Sequence, residues 1–176
     1  MKKMIVMTLM VLMAAAAAFS SIGIKGIYFS PSDQNFKDIY GAGPMYGAQF
    51  TIKIMKNFDI WIAGNYFTKK GKLTYTQEDT TLTLIPIQGG LRFRILTGTI
   101  EPYVAGGVNY SLYMESNPIG DVNKGGLGFI GKAGVLIHLG KSFGIDVHAG
   151  YSSCKFTPAD FEINVGGIEF GAGIFF

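Results

Sequence analysis

The chain has little of several residues that commonly shape a fold, and each shortage excludes a class of protein. Its one cysteine, Cys154, rules out an internal disulfide framework and lies too far along the chain to carry the lipid of a lipoprotein. Charged residues make up 15% of the sequence, without a basic patch or an acidic tail, so no nucleic-acid partner is expected. After residue 20 no apolar run approaches the roughly 20 residues that a membrane-spanning helix needs.

The first 20 residues have the layout of a secretory signal peptide. Two lysines precede an apolar stretch over 4–18, and small residues then lead to a cleavage site after Ala18 or Ser20. A transmembrane anchor is the alternative, but the apolar stretch is shorter than the roughly 20 residues that an anchor needs. We therefore predict a leader at 1–20 and one domain at 21–176. This domain contains 13 Lys and Arg residues and 12 Asp and Glu residues, so its net charge is near zero.

Glycine and aromatic residues are abundant, with 25 Gly, 14 Phe and 9 Tyr, and this composition favours many short strands. Apolar and polar residues alternate in eight segments. Short turns follow the second, fourth and sixth segments, whereas long polar loops follow the first, third, fifth and seventh. This segregation of turns and loops is typical of an outer-membrane barrel, and an even strand count places both termini on the side of the short turns. The predicted strands are 22–30, 44–54, 57–67, 81–95, 99–113, 126–139, 142–154 and 164–176.

The charged residues within these strands all fall on the face opposite the aliphatic one. In the last strand, for example, Ile168 and Phe170 share one face while Glu169 lies on the other. The charged face also carries most of the small residues, as expected for the narrow interior of an eight-stranded barrel. We therefore expect the polar face to line the lumen and the apolar face to meet lipid. The predicted ladder of lumen ion pairs comprises Lys25, Lys53, Asp59, Arg92, Arg94, Glu101, Lys132, Asp146 and Glu169.

Aromatic residues mark both ends of the apolar face. Phe58 and Tyr66 are eight residues apart on one strand. At about 3.3 Å per residue and a tilt near 40°, this spacing spans roughly 20 Å, close to the apolar band of about 25 Å in such barrels. A soluble barrel with an inward apolar face is the alternative, and the position of the charges disfavours it. The two predicted aromatic belts are Tyr28, Tyr46, Tyr66, Tyr110 and Tyr151 on the loop side, and Phe58, Phe93, Phe143 and Phe176 on the turn side.

The leader, the opening GIKGIYFSPSDQNF (23–36), the eight strands and the terminal phenylalanine together resemble the small outer-membrane β-barrel family. This family includes the membrane domain of outer membrane protein A and outer membrane protein X. The resemblance implies an all-β, eight-stranded antiparallel up-and-down transmembrane β-barrel in the outer membrane of a Gram-negative bacterium, with both termini periplasmic. It also implies that the insertion machinery of that membrane recognises the strand ending at Phe176. Peptidoglycan binding by a further domain is not expected.

The role expected from this pattern is that of a monomeric, non-enzymatic barrel with a filled lumen, acting structurally or through surface contacts of its four long loops. Lys69, Lys70 and Lys72 are candidates for contact with lipopolysaccharide phosphates. No catalytic, cofactor or metal site is expected.

Two alternatives remain open for the function. A lipid A-modifying enzyme needs a nucleophile beside its base, and Ser152 and His148 are about 13 Å apart along one strand unless another strand supplies a partner. A narrow ion channel needs a continuous wet path through the lumen, although side chains such as Trp61 and Tyr103 add bulk there.

Overall fold

A computed structural model of the chain describes residues 20–72, 79–118, 120–140, 142–156 and 163–176. Apart from Ser20, the predicted leader lies outside these ranges. The strands are β1 (Ser20–Pro31), β2 (Gly43–Lys53), β3 (Phe58–Lys72), β4 (Asp79–Arg94), β5 (Ile100–Asn117), β6 (Gly120–His138), β7 (Gly144–Phe156), β8 (Ile163–Asn164) and β9 (Gly167–Phe175). One helix, α1 (Gln34–Tyr40), lies between β1 and β2.

The sheet is a closed eight-stranded antiparallel barrel. Each long strand pairs with its sequence neighbours, and the two-residue β8 pairs with the far end of β7 before the chain enters β9. Strand β9 pairs with both β7 and β1, which closes the wall. At the seam, the amides and carbonyls of Ile22 and Phe176 exchange two hydrogen bonds of 2.9 Å each. The predicted fold class is confirmed.

The barrel has two different ends. The connections from β2 to β3, β4 to β5 and β6 to β7 are short, and both β1 and β9 have their outer termini beside them. We call this the turn end. The opposite rim, which carries α1 and the other connections, is the loop end.

The alternation of residues along each strand separates an apolar exterior from a packed interior. On β3, Ile62 is 53% exposed, whereas Trp61 and Ala63 on either side of it are each 2% exposed. Large exposed hydrophobic side chains occur on every long strand, from Ile22 on β1 to Phe170 on β9. An apolar exterior of this extent is incompatible with contact to water and matches hydrocarbon.

The structure corrects two of the predicted loops at the loop end. The segment 68–80 was expected to be a loop, but β3 continues to Lys72 and β4 begins at Asp79. The segment 114–125 was also expected to be a loop, but β5 and β6 continue to Asn117 and Gly120 and form a long hairpin. Both segments are polar because a strand that extends beyond the apolar band has water on both faces. Its apolar and polar residues no longer alternate, so polar composition alone does not distinguish such a strand from a loop.

The loop between β1 and β2 contains a helix that the sequence analysis did not predict. Asp33 caps its first turn by accepting a hydrogen bond from the Phe36 amide at 3.1 Å. Gly41 ends the helix at φ 66°, a conformation that favours glycine. Phe36 and Tyr40 are its buried residues, so the helix covers the loop end of the lumen. No helix in the described ranges is long and apolar enough to span a membrane.

The apolar exterior predicts that a charged residue in place of an outward-facing isoleucine destabilises the barrel, and that the loss of stability depends on its depth in the membrane. Ile62 lies midway between the aromatic ends of β3, whereas Ile54 follows β2 beside the turn end and is 46% exposed. We expect Ile62→Arg to reduce the free energy of unfolding by about 2–4 kcal/mol and Ile54→Arg to reduce it by about 1 kcal/mol or less. Urea unfolding in phospholipid vesicles measures both, and equal losses would contradict a lipid-facing exterior.

Candidate functional site

Buried ion pairs fill the interior near the turn end. Asp59 on β3 is fully buried and stands directly across from Arg92 on β4. Its carboxylate lies 2.8 Å from Arg92 Nε and 3.1 Å from Arg94 Nη2, because Arg92 and Arg94 share the inward face of β4. Two guanidinium groups therefore share one carboxylate, and the Arg92 guanidinium also lies over the ring of Tyr103 at 5.2 Å.

Glu101 extends this cluster to the start of β5. Arg94 Nη1 lies 3.2 Å from its carboxylate, and His138 Nε2 lies 3.3 Å from the same oxygen. The other oxygen accepts a hydrogen bond from the Gly98 amide at 3.1 Å. Glu101 therefore connects the lumen cluster to the β4–β5 turn.

The middle of the lumen differs from the expected ladder of direct ion pairs. Lys132 Nζ lies 3.9 Å from the centre of the Trp61 ring and donates to the Gln88 amide oxygen at 3.1 Å. The Gln88 amide nitrogen in turn donates to Glu169 at 3.1 Å. Among the described residues, neither Lys132 nor Glu169 forms a direct ion pair, because an amide stands between them. The polarity pattern predicted the two charges but gave no signal for Gln88 as their link.

Two other lysines also depart from the expected ladder. Lys25 is buried and donates to the Gln49 amide oxygen at 3.3 Å. Lys53 is exposed at the turn end, although it stands across from Asp59 in the β2–β3 register. In the described part of the chain, neither lysine is in ion-pair contact with a carboxylate. Asp59 is already occupied by two guanidinium groups, and strand alternation alone could not predict which cation would hold it.

Asp146 on β7 completes the set of predicted lumen charges. It accepts a hydrogen bond from Tyr103 at 2.8 Å and lies 3.7 Å from His148 Nδ1. The Ser152 hydroxyl, which an acyl-transfer enzyme would need beside a base, instead donates to Glu169 at 3.4 Å. In the described ranges, no three His, Cys, Asp or Glu side chains gather as they would around a metal ion.

The loop-end half of the lumen is apolar, which the sequence analysis missed. Phe29 and Phe67 meet edge to face with ring centres 5.3 Å apart, and both are buried. The signal was present in the sequence, because the inward face of several strands changes from charged to apolar toward the loop end. We call this cluster the plug; its buried members are Ile27, Phe29, Phe36, Tyr40, Met45, Phe67, Leu82, Leu84, Tyr113, Cys154 and Val165.

Helix α1 seals the plug from the loop end. Phe36 packs against Tyr113 with ring centres 6.4 Å apart. The Tyr40 hydroxyl shares a hydrogen bond of 3.2 Å with Thr80. Burial raises the pKa of Tyr40 to about 12, so this hydroxyl keeps its proton across the physiological pH range. The helix is thus attached to the barrel by both ring packing and a polar contact.

The turn-end half of the lumen contains a cavity of about 330 Å³, which we call the vestibule. Exposed Lys53 and Ser142 lie at its mouth, and Lys25, Arg94 and Asp146 line its interior. The lumen of the described residues is therefore layered, with an ionic vestibule at the turn end, an amide and ammonium layer in the middle and the plug at the loop end.

The three lysines proposed to contact lipopolysaccharide do not share one face. Lys70 and Lys72 are exposed and lie on the outward face of β3, beyond Tyr66. Lys69 points to the opposite face, is partly buried and lies over Gly43. Only two of the three are therefore placed to contact groups alongside the outer wall.

All nine aromatic residues of the two expected belts lie on the barrel exterior. Tyr46 and Tyr66 are cross-strand partners toward the loop end. Toward the turn end, Phe58 and Phe93 have ring centres 5.0 Å apart. The full set of exposed rings is Tyr28, Tyr46, Tyr66, Tyr110, Tyr151, Phe58, Phe93, Phe143 and Phe176.

Comparison with known proteins agrees with this architecture. Residues 4–176 match the sequence profile of a family described as "Outer membrane protein beta-barrel domain". No curated protein matches the chain.

Three solved structures illustrate the likeness of fold. Neisserial surface protein A is 15% identical, with a TM-score of 0.62 over 89% of this chain and 95% of that chain. The outer membrane protein OprG from Pseudomonas aeruginosa is 13% identical, with a TM-score of 0.63 over 89% of this chain and 96% of that chain. Ail of Yersinia pestis, in complex with the heparin analogue sucrose octasulfate, is 16% identical, with a TM-score of 0.53 over 89% and 96%. At these identities the likeness is one of fold.

The shared carboxylate of Asp59 generates a stability prediction. The near-isosteric Asp59→Asn removes one buried negative charge and leaves Arg92 without a carboxylate. Breaking a buried ion pair in this way costs about 3–5 kcal/mol, and we expect a loss of that size in the free energy of unfolding. Asp38→Asn, on the exposed face of α1, removes the same charge and should change stability little. Urea unfolding followed by Trp61 fluorescence distinguishes the two, and similar stabilities would contradict the role assigned to Asp59.

Proposed function

Since the chain belongs to the outer membrane protein beta-barrel domain family, we propose that it acts as a non-enzymatic, non-conducting barrel of the Gram-negative outer membrane. In this proposal its role is structural or is carried by contacts at the loop end. The observation that carries the proposal is the plug, in which Phe29, Phe67 and Leu84 fill the lumen with fully buried apolar side chains. A filled apolar section cannot hold the chain of water that ion conduction requires.

We propose that the turn end, with both termini, faces the periplasm and that the loop end faces outward. Short periplasmic turns and longer outer connections are the general arrangement in such barrels. The rings of tyrosine and phenylalanine on the exterior suit the two interfaces of the membrane, since amphipathic aromatic rings favour the headgroup level. The seam between β1 and β9 leaves no open edge in the wall, which supports a monomer. We also propose that the insertion machinery of the outer membrane recognises the C-terminal strand ending at Phe176.

Lipopolysaccharide is the partner that we propose for Lys70 and Lys72. Both side chains are exposed on the outward face of β3, beyond the tyrosine ring, where phosphates of the outer leaflet would lie. Lys70 stands across from Thr81, and Lys72 stands across from Asp79, in the β3–β4 register. Ammonium groups at this depth can bind phosphate as point charges.

Planar-bilayer recording tests the plug. The refolded protein is expected to give no unitary currents above those of protein-free bilayers. The sample must first show heat-modifiable mobility on a gel, so that an absence of current can be attributed to a folded barrel and not to a bilayer without protein. Reproducible unitary currents from such a sample would contradict the proposed non-conducting role.

Binding of labelled lipopolysaccharide tests the two outward lysines. We expect Lys70→Gln combined with Lys72→Gln to weaken binding about tenfold, since two charge-assisted phosphate contacts are lost. The matched control combines Lys37→Gln with Lys124→Gln, which removes the same charge from exposed positions at the loop end. Neither control residue lies on the outward face of β3. Equal affinities of the two double variants would refute the assigned contact.

A further inference from the structure

The vestibule has cations on its wall that the carboxylates of the wall do not neutralise. Four of its lining side chains are cationic, namely Lys25, Lys53, Arg92 and Arg94. Three are carboxylates, namely Asp59, Glu101 and Asp146. Counted by side chains alone, the wall therefore carries one more positive than negative charge.

The carboxylates of this wall are already engaged. Asp59 binds both arginines, at 2.8 and 3.1 Å. Glu101 binds Arg94 and faces His138. Asp146 accepts the Tyr103 hydroxyl at 2.8 Å and faces His148 at 3.7 Å. The acidic side chains of the vestibule are therefore directed at groups other than its two lysines.

Lys25 is the cation that most needs a further partner. It is 8% exposed, and the Gln49 amide oxygen at 3.3 Å is its hydrogen-bond acceptor. Glu169 and Asp146 attract this ammonium group at longer range, but neither is in ion-pair contact with it. A neutral amide does not replace such a contact, and a buried charge without one is costly. Lys53 lines the same cavity nearer its mouth and is exposed, so a solute can reach it from the turn end.

We propose that the vestibule is a binding site for a small oxyanion of the phosphate class, held at Lys25 and reached from the turn end past Lys53. The cavity volume of about 330 Å³ corresponds to roughly ten waters of liquid, enough for one phosphate group with part of its hydration shell. Ammonium groups bind such oxyanions through charge-assisted hydrogen bonds. The plug closes the other side, so the site is a blind pocket and not a passage.

The chain carries a built-in reporter for this site. Trp61 is its single tryptophan, and the Lys132 ammonium lies 3.9 Å from the centre of the indole ring. Lys132 and Lys25 interact electrostatically with one another. An anion at Lys25 changes the field at Lys132 and hence at the indole, so binding should alter Trp61 emission.

The first test titrates inorganic phosphate into the refolded full chain at constant ionic strength and follows Trp61 emission. The wild type should give a saturable change. Lys25→Met should weaken phosphate binding at least about tenfold, and Lys53→Met about threefold, as expected for a buried and an exposed charged contact. Lys56→Met removes the same charge from the exposed β2–β3 turn, outside the vestibule, and should bind as the wild type does. A linear response shared by all variants would overturn the proposal.

The second test supplies the missing carboxylate from the protein itself. Gln49→Glu is nearly isosteric and places a carboxylate at the atom that Lys25 already contacts. We expect this variant to lose saturable phosphate binding and, without phosphate, to unfold at a higher urea concentration than the wild type. Thr97→Glu adds the same charge at the exposed β4–β5 turn and should retain phosphate binding. Undiminished phosphate binding by Gln49→Glu would overturn the proposal. This second test does not depend on Lys25→Met, so it holds even if that variant fails to fold.

Discussion

Closure of the backbone hydrogen bonds between β1 and β9 is the constraint on which the rest of this structure depends. In hydrocarbon, an unpaired amide or carbonyl has no water to satisfy it, so a sheet can cross only if it has no edge. The two hydrogen bonds between Ile22 and Phe176 complete that closure at the turn end. The closed wall then fixes which face of every strand meets lipid and which meets the lumen.

The narrow lumen that follows from closure determines how its charges are arranged. Eight strands leave room for side chains and little else. The inward-facing cross-strand partners Gly90 and Gly107 let β4 and β5 approach closely in the wall, since a Cβ at either position would lie within 2.1 Å of a backbone oxygen of the other strand. In so confined a space a charge must be satisfied by what lies beside it. Asp59 therefore serves two guanidinium groups, and Gln88 links Lys132 to Glu169.

The change from ions to apolar rings along the lumen gives the two ends different capabilities. At the loop end, α1 and the plug fill the lumen of the described residues with buried apolar side chains, and contacts are left to the outer surface. At the turn end, the vestibule is accessible and positively biased. In the non-conducting role proposed above, such a barrel presents one surface on each side of the membrane without connecting the two compartments.

The sequence determined which face of each strand is wet, and the tertiary structure decided how the wet face is used. Strand alternation placed Ile62 and Asp59 on opposite faces, because the side-chain period is two, and the charged and small residues on one face indicated which face lines the lumen. It could not predict that Lys53 reaches solvent or that Gln88 stands between two charges, since cross-strand register and competition for one carboxylate set those contacts. Phe29 and Phe67 come into contact in the plug only when β1 and β3 fold into the same barrel. Helix α1 covers the loop end only because the plug lies beneath it. These features depend on long-range packing, for which local periodicity holds no information.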